Sequence, residues 1–451
     1  ADVKAVAGEL KHLGGAASIP ASAVGVRYSP GIPASNRRRR GWMEPLSPTP
    51  LAKLMPGPEG GAALAVWAVV TVPKTAPAGE YRGTLTVSAG ADKLAEVPIH
   101  VRVADWTIPD PGDFRTFVGI YQSPTAVALT YDVPMWSERH WRLVTRSLQL
   151  LGQLGNRMVQ IPVVDRTKLG NDEGMVRWVR KPDGSFDHDF SLVERYLKLV
   201  KRHVGVPKFV VLFVWHAGGW RAAGPKQKNT VTVVDKATGK REPMQVPEFG
   251  TPEAKAFWSP VLLGLKKRLA DAGMGDAFCL GSVAERYPSP AVSKMFTEIL
   301  GEAPWLRITH AAHGALEKPN RALAGGGRIG CHIYTYLAGL PDPAKGPPAV
   351  HKPYWPRVAY YRRAQQTHLS LIGHRLLAAD SLMRRLPGFS HLCLDYWRCP
   401  KVSKHRGGML YGHWVRSGNY PGDPEPGHLT WPGPDGAEPL TAFEALREGI
   451  Q

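Results

Sequence analysis

The sequence predicts an α/β protein in two parts, a (β/α)8 TIM-type barrel preceded by an N-terminal β-sandwich. Two observations lead to this prediction. Short alternating strands separated by Pro- and Gly-rich turns fill the chain up to residue 108. From about residue 114, apolar strand-like runs alternate with amphipathic helical runs. We therefore expect a β-sandwich domain over residues 1–108 and a barrel domain over residues 109–451.

Three strands define the predicted sandwich. The segment 64–72 is apolar almost throughout, so we expect both of its faces to be covered. The segments 81–88 and 97–103 alternate apolar and polar residues, which is typical of half-buried strands. A Pro- and Gly-containing turn at 75–80 separates the first two strands, and a Pro-rich linker at 106–111 leads out of the domain.

Eight strands are predicted in the second part, and helices separate most of them. The predicted strands are 114–121, 157–164, 208–215, 277–285, 306–311, 328–336, 369–373 and 391–397. The predicted helices are 138–154, 192–203, 252–272, 291–300, 354–366 and 376–386. The insert 219–249 indicates a long loop or hairpin above the third strand's carboxyl end. A doubly wound open sheet is the alternative fold, but its Gly-rich phosphate turn does not occur in the sequence.

Composition and charge narrow the function classes. The hydrophobic fraction of 43% is enough for a sizeable core, and no apolar run reaches the roughly 18 residues of a membrane span. The formal net charge is +19, but the basic residues are dispersed apart from the run Arg37–Arg40. We expect that run to lie in a solvated loop. Binding of an acidic glycan and binding of nucleic acid are the alternatives.

The sequence carries no cofactor motif that we recognise. It has no G-x-S-x-G elbow, no GxxxxGK[ST] phosphate loop and no H-E-x-x-H zinc motif. The four cysteines, Cys279, Cys331, Cys393 and Cys399, lack metal-ligand spacing, and we expect buried thiols, with a Cys393–Cys399 disulfide as an alternative. No metal and no cofactor are therefore expected.

Polar and aromatic residues cluster at the ends of the predicted strands, where β/α barrels place their active sites. The candidate catalytic carboxylates are Asp165, Glu285 and Asp395. The candidate substrate-binding residues are Tyr121, Trp215, His216, His310, His313, Tyr334, Tyr336, Tyr396 and Trp397. Carboxylates transfer protons or stabilise an oxocarbenium-like transition state, and aromatic rings stack on sugars, so this set is typical of a glycosidase cleft.

Each candidate also has a structural interpretation. Asp165 and Glu285 are each followed by an arginine, which favours surface ion pairs. Asp395 follows an apolar run and is open to a buried structural role. His310 and His313 are spaced to chelate a metal, but no third ligand is spaced to join them, so satisfied loop histidines are the alternative.

Several segments resemble glycoside hydrolase family 123. The segment 72–87 is similar to the sandwich strand pair that precedes the barrel in that family, and Tyr396–Trp397 is similar to its closing aromatic motif. The segments 431–436 and 444–450 are similar to its end pattern. The resemblance spans about 64–451. It implies a sandwich followed by a (β/α)8 barrel that acts on β-linked N-acetylgalactosamine.

The resemblance also implies substrate-assisted catalysis by an adjacent Asp–Glu pair at a strand end. In the family, the Asp orients the substrate's acetamido group and the Glu is the general acid/base. The matching positions here are Ala284 and Glu285, so Glu285 carries over and the Asp is missing. Asp395 is the better candidate for the second carboxylate, because the eighth strand faces the same mouth, and Asp165 is the other candidate.

The sequence therefore predicts a glycoside hydrolase-like protein that acts on glycans, with β-linked N-acetylhexosamine as the substrate class and Glu285 as general acid/base. One alternative is a non-catalytic glycan-binding protein that uses Trp215, Trp220 and Trp397. The other is an anionic-polymer binder that uses Arg37–Arg40 and the Lys-rich insert. The expected partner is an oligosaccharide or polysaccharide, anionic in the last case, and nucleic acid is not expected. The expected location is secreted or periplasmic, and the oligomeric state stays open.

Overall fold

The chain divides into two compact units. The first comprises Ala1–Asp110, Glu438–Glu444 and Gln451, and the second comprises Pro111–Ala437 and Ala445–Ile450. The computed structural model describes residues 3–29, 45–50, 64–167, 169–215, 229–281, 287–309, 322–334, 358–360, 371–383, 387–397 and 429–451. The boundary between residues 108 and 109 stays a prediction, and no sequence pattern indicated that Glu438–Glu444 would cluster with the first unit. Within the described ranges, no helix is long and apolar enough to cross a membrane.

The first unit contains antiparallel strands in two sheets. Its strands are β1 (Val3–Ala7), β2 (Leu10–His12), β3 (Ser18–Ile19), β4 (Val24–Ser29), β5 (Ala65–Val70), β6 (Gly79–Ala89) and β7 (Asp92–Val103). The larger sheet has the order β1-β6-β2-β3 with β7 paired to β6, and β4 pairs with β5. The Tyr28 hydroxyl on β4 accepts from the Ala5 N–H at 2.8 Å and donates to the Ala5 carbonyl at 3.1 Å, which joins the two sheets.

The strands from residue 117 onward are β8 (Phe117–Tyr121), β9 (Met158–Pro162), β10 (Arg177–Arg180), β11 (Phe186–Asp189), β12 (Phe209–Phe213), β13 (Thr230–Asp235), β14 (Arg241–Gln245), β15 (Phe278–Gly281), β16 (Pro304–Thr309), β17 (Arg328–Tyr334), β18 (Val358–Tyr360), β19 (Gly388–Cys393), β20 (Thr430–Gly433) and β21 (Gly436–Pro439). The helices are α1 (Pro124–Tyr131), α2 (Glu138–Gln153), α3 (Ser191–His203), α4 (Pro252–Asp271), α5 (Pro290–Leu300), α6 (Leu371–Met383) and α7 (Thr441–Ile450). Together they give the mixed α/β fold that the alternating pattern predicts.

An eight-stranded parallel sheet dominates the second unit. Its order is β8-β19-β18-β17-β16-β15-β12-β9, and every neighbouring pair is parallel. Every residue of β8, β9, β12 and β15 is buried, because both faces of a parallel sheet are covered. A parallel bridge joins Val118 to Asn156, and the Arg157 N–H donates to the Val118 carbonyl at 2.6 Å. These contacts link β8 to the residues just before β9, the two strands at opposite ends of the sheet order.

Helix starts follow the capping rules. Ser123, Ser137, Thr251 and Ser289 precede α1, α2, α4 and α5, and each side chain accepts a backbone N–H three residues further on. These bonds satisfy amide groups that the first turn of a helix leaves without a partner. The cap at Ser123 fixes the chain immediately after β8.

The predicted insert is partly a hairpin. Strands β13 and β14 pair antiparallel, and β13 also pairs in parallel with β10. The resulting four-stranded sheet has the order β11-β10-β13-β14. Its strands β10 and β11 follow β9 along the chain, and its strands β13 and β14 follow β12.

The predicted strands overlap the observed ones in every unit except the seventh. There the helix predicted at 354–366 is wrong, because Val358–Tyr360 forms β18 between β17 and β19. The strand predicted at 369–373 is also wrong, because α6 begins at Leu371. A three-residue strand is too short to show a period of two, so its neighbours in the sheet decide its structure.

An apolar cluster covers one face of the parallel sheet. It includes Phe117, Tyr121, Met158, Leu169, Phe209, Val211, Phe213, Cys279, Leu306, Cys331, Cys393 and Tyr396. The three cysteines are buried and form no disulfide, as expected for buried thiols, while Cys399 lies outside the described residues.

Candidate active site

A small cleft lies at the carboxyl ends of β8 and β9. Its lining residues are Gln122, Ser123, Pro124, Thr125, Trp136, Gln160, Pro162, Leu169, Asn171 and Glu173. The carboxyl ends of parallel strands meet at one edge, which is where α/β enzymes bind their ligands. None of the predicted site residues whose side chains the structure describes lines this cleft, although Gln122 directly follows Tyr121.

Gln160 is the polar residue in the middle of β9. It lies on the same face of the strand as Met158, which belongs to the apolar cluster, because side chains two residues apart share a face. The residue is 6% exposed, and its Nε2 has no hydrogen-bond partner within the described part of the chain. A buried amide donor therefore lines the cleft with its bonding capacity unused.

Glu173 also lines the cleft, and several donors hold its carboxylate. Its Oε1 accepts from the Trp136 indole N–H at 2.5 Å and from Arg177 Nη2 at 2.5 Å. Arg241 Nη1 is 3.4 Å from Oε2. The Arg177 side chain is almost buried and also donates to the Gly174 carbonyl. The ion pair fixes Glu173 in the cleft and leaves Oε2 with one long contact.

Trp136 has a backbone conformation that is rare for a large side chain. Its φ is 64°, in the left-handed region. Its N–H donates to His140 Nδ1 at 2.9 Å, and His140 Nε2 lies 2.9 Å from the Pro124 carbonyl, to which it must donate. Burial lowers the pKa of His140, so the ring stays neutral and can accept at Nδ1. Outliers of this kind concentrate at functional sites.

Asp165 is 5% exposed, so the structural alternative of a surface ion pair with the following arginine is wrong. Its Oδ1 accepts from the Gly174 N–H at 2.6 Å and from Thr232 Oγ1 at 2.7 Å. Burial raises its pKa to about 6, against these hydrogen bonds and the nearby Arg177. Its two hydrogen bonds tie Gly174, just after Glu173, to Thr232 on β13. The catalytic role of Asp165 stays a prediction.

Asp395 is completely buried. Its Oδ1 accepts from the Ser123 N–H at 2.7 Å, which joins the residues after β19 to the residues after β8. Burial raises its pKa to about 6, against the Ser123 amide and the Ser147 side chain. Asp395 therefore holds the backbone of Ser123, which lines the cleft. A role of Asp395 as second catalytic carboxylate stays a prediction.

The described aromatic candidates form a buried layer. Tyr121, Trp215, Tyr396 and Trp397 are each at most 5% exposed. The Tyr396 hydroxyl donates to the Gln122 carbonyl at 3.3 Å, and the Trp397 indole donates to the Thr430 carbonyl at 2.8 Å. None of these four side chains presents an open ring, and their substrate-binding role stays a prediction.

The remaining predicted site residues cannot be placed in the cleft or away from it. Glu285, His216, His310, His313 and Tyr336 lie outside the described residues. Tyr334 ends β17, where the structure describes the backbone alone.

Of the residues that line the described cleft, sequence reasoning points to Gln122, beside Tyr121 at the first strand's end, and misses the others. Gln160 was detectable as one polar residue inside an apolar strand. Trp136 stands just before the Ser137 helix cap, between a predicted strand and a predicted helix, where no site was expected. Glu173 belongs to a loop with no pattern that separates it from other surface carboxylates.

Comparison with known proteins gives a family match over the segment that contains this cleft. Residues 121–321 match the family model "Glycoside hydrolase 123, catalytic domain". A family 123 glycoside hydrolase from Clostridium perfringens, described in terms of glycolipid glycan hydrolysis, has a TM-score of 0.67 and 16% identity, over 100% of this chain and 78% of that one. A family 39 glycoside hydrolase from Bacteroides cellulosilyticus WH2 covers 100% of this chain and 77% of that one at 10% identity, but its TM-score of 0.38 supports no argument. No curated protein matches the chain.

The class of protein that the family match over residues 121–321 indicates is the glycosidases. The resemblance to glycoside hydrolase family 123 is confirmed over residues 121–321. That segment holds the cleft as well as position 285.

Proposed function

We propose that this protein hydrolyses glycans with β-linked N-acetylhexosamine, with Glu285 as general acid/base. The observation that carries the proposal is the family match, because it covers both the described cleft and Glu285. A carboxylic acid at a strand end can protonate the leaving-group oxygen as the glycosidic bond breaks. Because glycans of this kind are commonly extracellular, we also propose a secreted or periplasmic location.

We also propose that the eight parallel strands close into a (β/α)8 barrel. The bridge between Val118 and Asn156 supports closure, since it joins the two ends of the sheet order. Asn156 strengthens this junction, because its Oδ1 accepts from the Ile120 N–H at 2.8 Å. A closed barrel would bring all eight carboxyl ends around one mouth.

We infer positioning roles for the two buried aspartates. Asp395 holds the Ser123 amide, and Asp165 holds the Gly174 amide, on two stretches of chain that reach the cleft. The acetamido-orienting Asp that the family resemblance implies has no counterpart at Ala284.

The test is release of p-nitrophenol from a panel of p-nitrophenyl glycosides that includes the β-N-acetylgalactosaminide and the β-N-acetylglucosaminide. Wild type should release product, and Glu285→Gln should lose at least a hundredfold because the proton donor is gone. The exposed Glu248→Gln is the matched control and should keep full activity. Unchanged turnover in Glu285→Gln would remove Glu285 from the mechanism. A folded protein that binds the sugars without releasing product from any glycoside would favour the non-catalytic alternative.

A further inference from the structure

The helix α6 exposes apolar side chains where a surface helix normally exposes charged ones. It packs on β19, and its buried residues are His374, Leu377, Ala378 and Ser381. Its exposed residues are Leu371, Ile372, Arg375, Leu376, Ala379, Leu382 and Met383. Arg375 is the one charged residue in the exposed set, and the others are apolar. A contiguous exposed apolar surface of this kind marks a site of interaction.

Other helices that follow strands of the parallel sheet show the ordinary pattern. The exposed residues of α2 are Glu138, Arg139, Arg142, Gln149 and Gln153. The exposed residues of α3 are Ser191, Glu194, Arg195, Lys198, Lys201 and Arg202. All of these side chains are polar or charged, so they are suited to contact with water. The apolar face is therefore a property of α6 in particular.

Four of the exposed residues form a straight line along the helix, which we call the α6 stripe. They are Ile372, Leu376, Ala379 and Met383. Their spacing of four, three and four residues is the spacing of the contact positions in a coiled coil. With 3.6 residues per turn, this line lies about 180° around the helix from the buried residues. The α6 stripe therefore points directly away from the sheet on which the helix packs.

The exposed area is large enough for two copies of the chain to meet through it. Leu371, Ile372, Leu376, Leu382 and Met383 are between 41% and 65% exposed. Together they expose about 500 Å² on one copy, so a two-fold pair would bury about 1,000 Å², the least that a specific interface needs.

The charges on α6 favour a second copy over a lipid surface. Arg375 lies beside the α6 stripe, and its guanidinium is 2.9 Å from the Glu448 carboxylate on α7. The stripe itself has no charged residue, so two copies can approach without like charges meeting across the axis. Helices that bind lipid surfaces carry several Lys and Arg residues on their polar face, whereas Arg375 is the one such residue in α6.

We propose that this chain forms a homodimer in which the α6 stripes of two copies pack against each other. A two-fold interface uses the same surface on both subunits, and an uncharged apolar stripe is complementary to itself. Ala379 lies inside the stripe, where its small side chain allows the two helices to approach closely. The inference goes beyond the proposed glycosidase function and does not depend on it.

The experiment is sedimentation velocity of the full chain over about a hundredfold range of concentration in the micromolar region. Wild type should convert reversibly from monomer to dimer as the concentration rises. Leu376→Glu places a negative charge in the α6 stripe of both copies, so the Kd of the dimer should rise at least tenfold. An equimolar mixture of Leu376→Glu and Leu376→Lys should associate more tightly than either variant alone, because opposite charges then meet across the interface.

The matched control is Leu263→Glu on α4, because Leu263 is 50% exposed and Leu376 is 53% exposed. This control should dimerise as wild type does. A wild type that stays monomeric over the whole range overturns the proposal, as does a dimer that Leu376→Glu leaves unchanged. A mixture of the Glu and Lys variants that associates no better than each variant alone overturns the packing of stripe on stripe.

Two further measurements separate the other possible occupants of the α6 stripe. Thermal melting of Leu376→Glu should match that of Leu263→Glu. A monomeric wild type, with a melting temperature that falls in Leu376→Glu alone, would place the stripe against the chain's own residues and overturn the homodimer. A monomeric wild type that sediments with phosphatidylcholine–phosphatidylserine vesicles, when Leu376→Glu does not, would assign the stripe to a lipid surface and also overturn it.

Discussion

The Arg177 guanidinium lies 2.5 Å from the Glu173 carboxylate, with side-chain exposures of 6% and 15%. Glu173→Gln should lower the free energy of unfolding by about 3 kcal/mol, because it leaves a nearly buried cation without its anion. Glutamine keeps an acceptor for the Trp136 indole, so the loss isolates the charge. Urea unfolding at pH 7 measures it.

The control for that change is Glu242→Gln. Its partner Arg180 is 3.1 Å away, but both side chains are well exposed, at 38% and 40%. Exposed pairs are worth at most about 1 kcal/mol. Equal losses in the two variants would contradict the importance of burial at Glu173.

Asp395→Asn should change how stability depends on pH. The pKa of Asp395 rises from 3.8 to about 6 in the folded state, so the folded protein holds this proton more tightly than the unfolded chain. The group therefore stabilises the fold at low pH, and the contribution falls as pH rises from about 4 to 6. The total loss is about 3 kcal/mol. Asparagine keeps an acceptor for the Ser123 amide but does not titrate. The stability of the Asp395→Asn variant relative to wild type should therefore increase by about that amount between pH 4 and pH 7.

Urea midpoints at pH 4, 5, 6 and 7 check this prediction, with the exposed Asp92→Asn as control. A stability difference between Asp395→Asn and wild type that stays constant over this range would show that Asp395 does not titrate as stated.

His140 should make the cleft sensitive to acid. Burial lowers its pKa below the ordinary 6.5, so the unfolded chain takes up the proton first as pH falls. The stability that the neutral ring provides is complete above pH 6.5 and declines below it. A protonated ring also cannot accept the Trp136 N–H.

His140→Asn should therefore show a smaller loss of stability than wild type between pH 7.5 and pH 5. Thermal melting at the two values measures the difference, and the exposed His100→Asn should match wild type. Identical losses in His140→Asn and wild type would count against the neutral ring.

Gly174→Ala should destabilise the cleft. A Cβ on this glycine would lie 2.4 Å from the Val163 carbonyl oxygen, which belongs to the backbone and cannot move aside cheaply. We expect a loss of about 2 kcal/mol. Gly112→Ala, where a Cβ meets no atom within 4 Å, should cost much less. Differential scanning calorimetry compares the two variants, and similar melting temperatures would refute the close contact.

Much of the parallel sheet was predictable from the sequence. The strands β8, β9, β12 and β15 are short apolar runs, and burial on both faces of a parallel sheet requires such runs. The seventh unit was not predictable, because β18 has three residues and depends on β17 and β19 for its hydrogen bonds.

The cleft was predictable only in its location. The rule that strand ends carry the site pointed to the residues after β8 and β9, but it selected Tyr121 and Asp165, which are buried. Trp136 and Glu173 reach the cleft from loops, and tertiary hydrogen bonds place their side chains. No local pattern encodes such bonds. Glu285 remains a prediction from family resemblance.

The thiols of Cys279, Cys331 and Cys393 have no exposed surface, and they lie on three strands of one sheet. An alkylating reagent can reach them only when those strands separate, and burial further raises the pKa of the Cys331 thiol. Their rate of alkylation therefore measures how often the sheet opens, and the measurement needs no added dye or tag. A bound sugar that holds the sheet closed would slow the alkylation of these thiols.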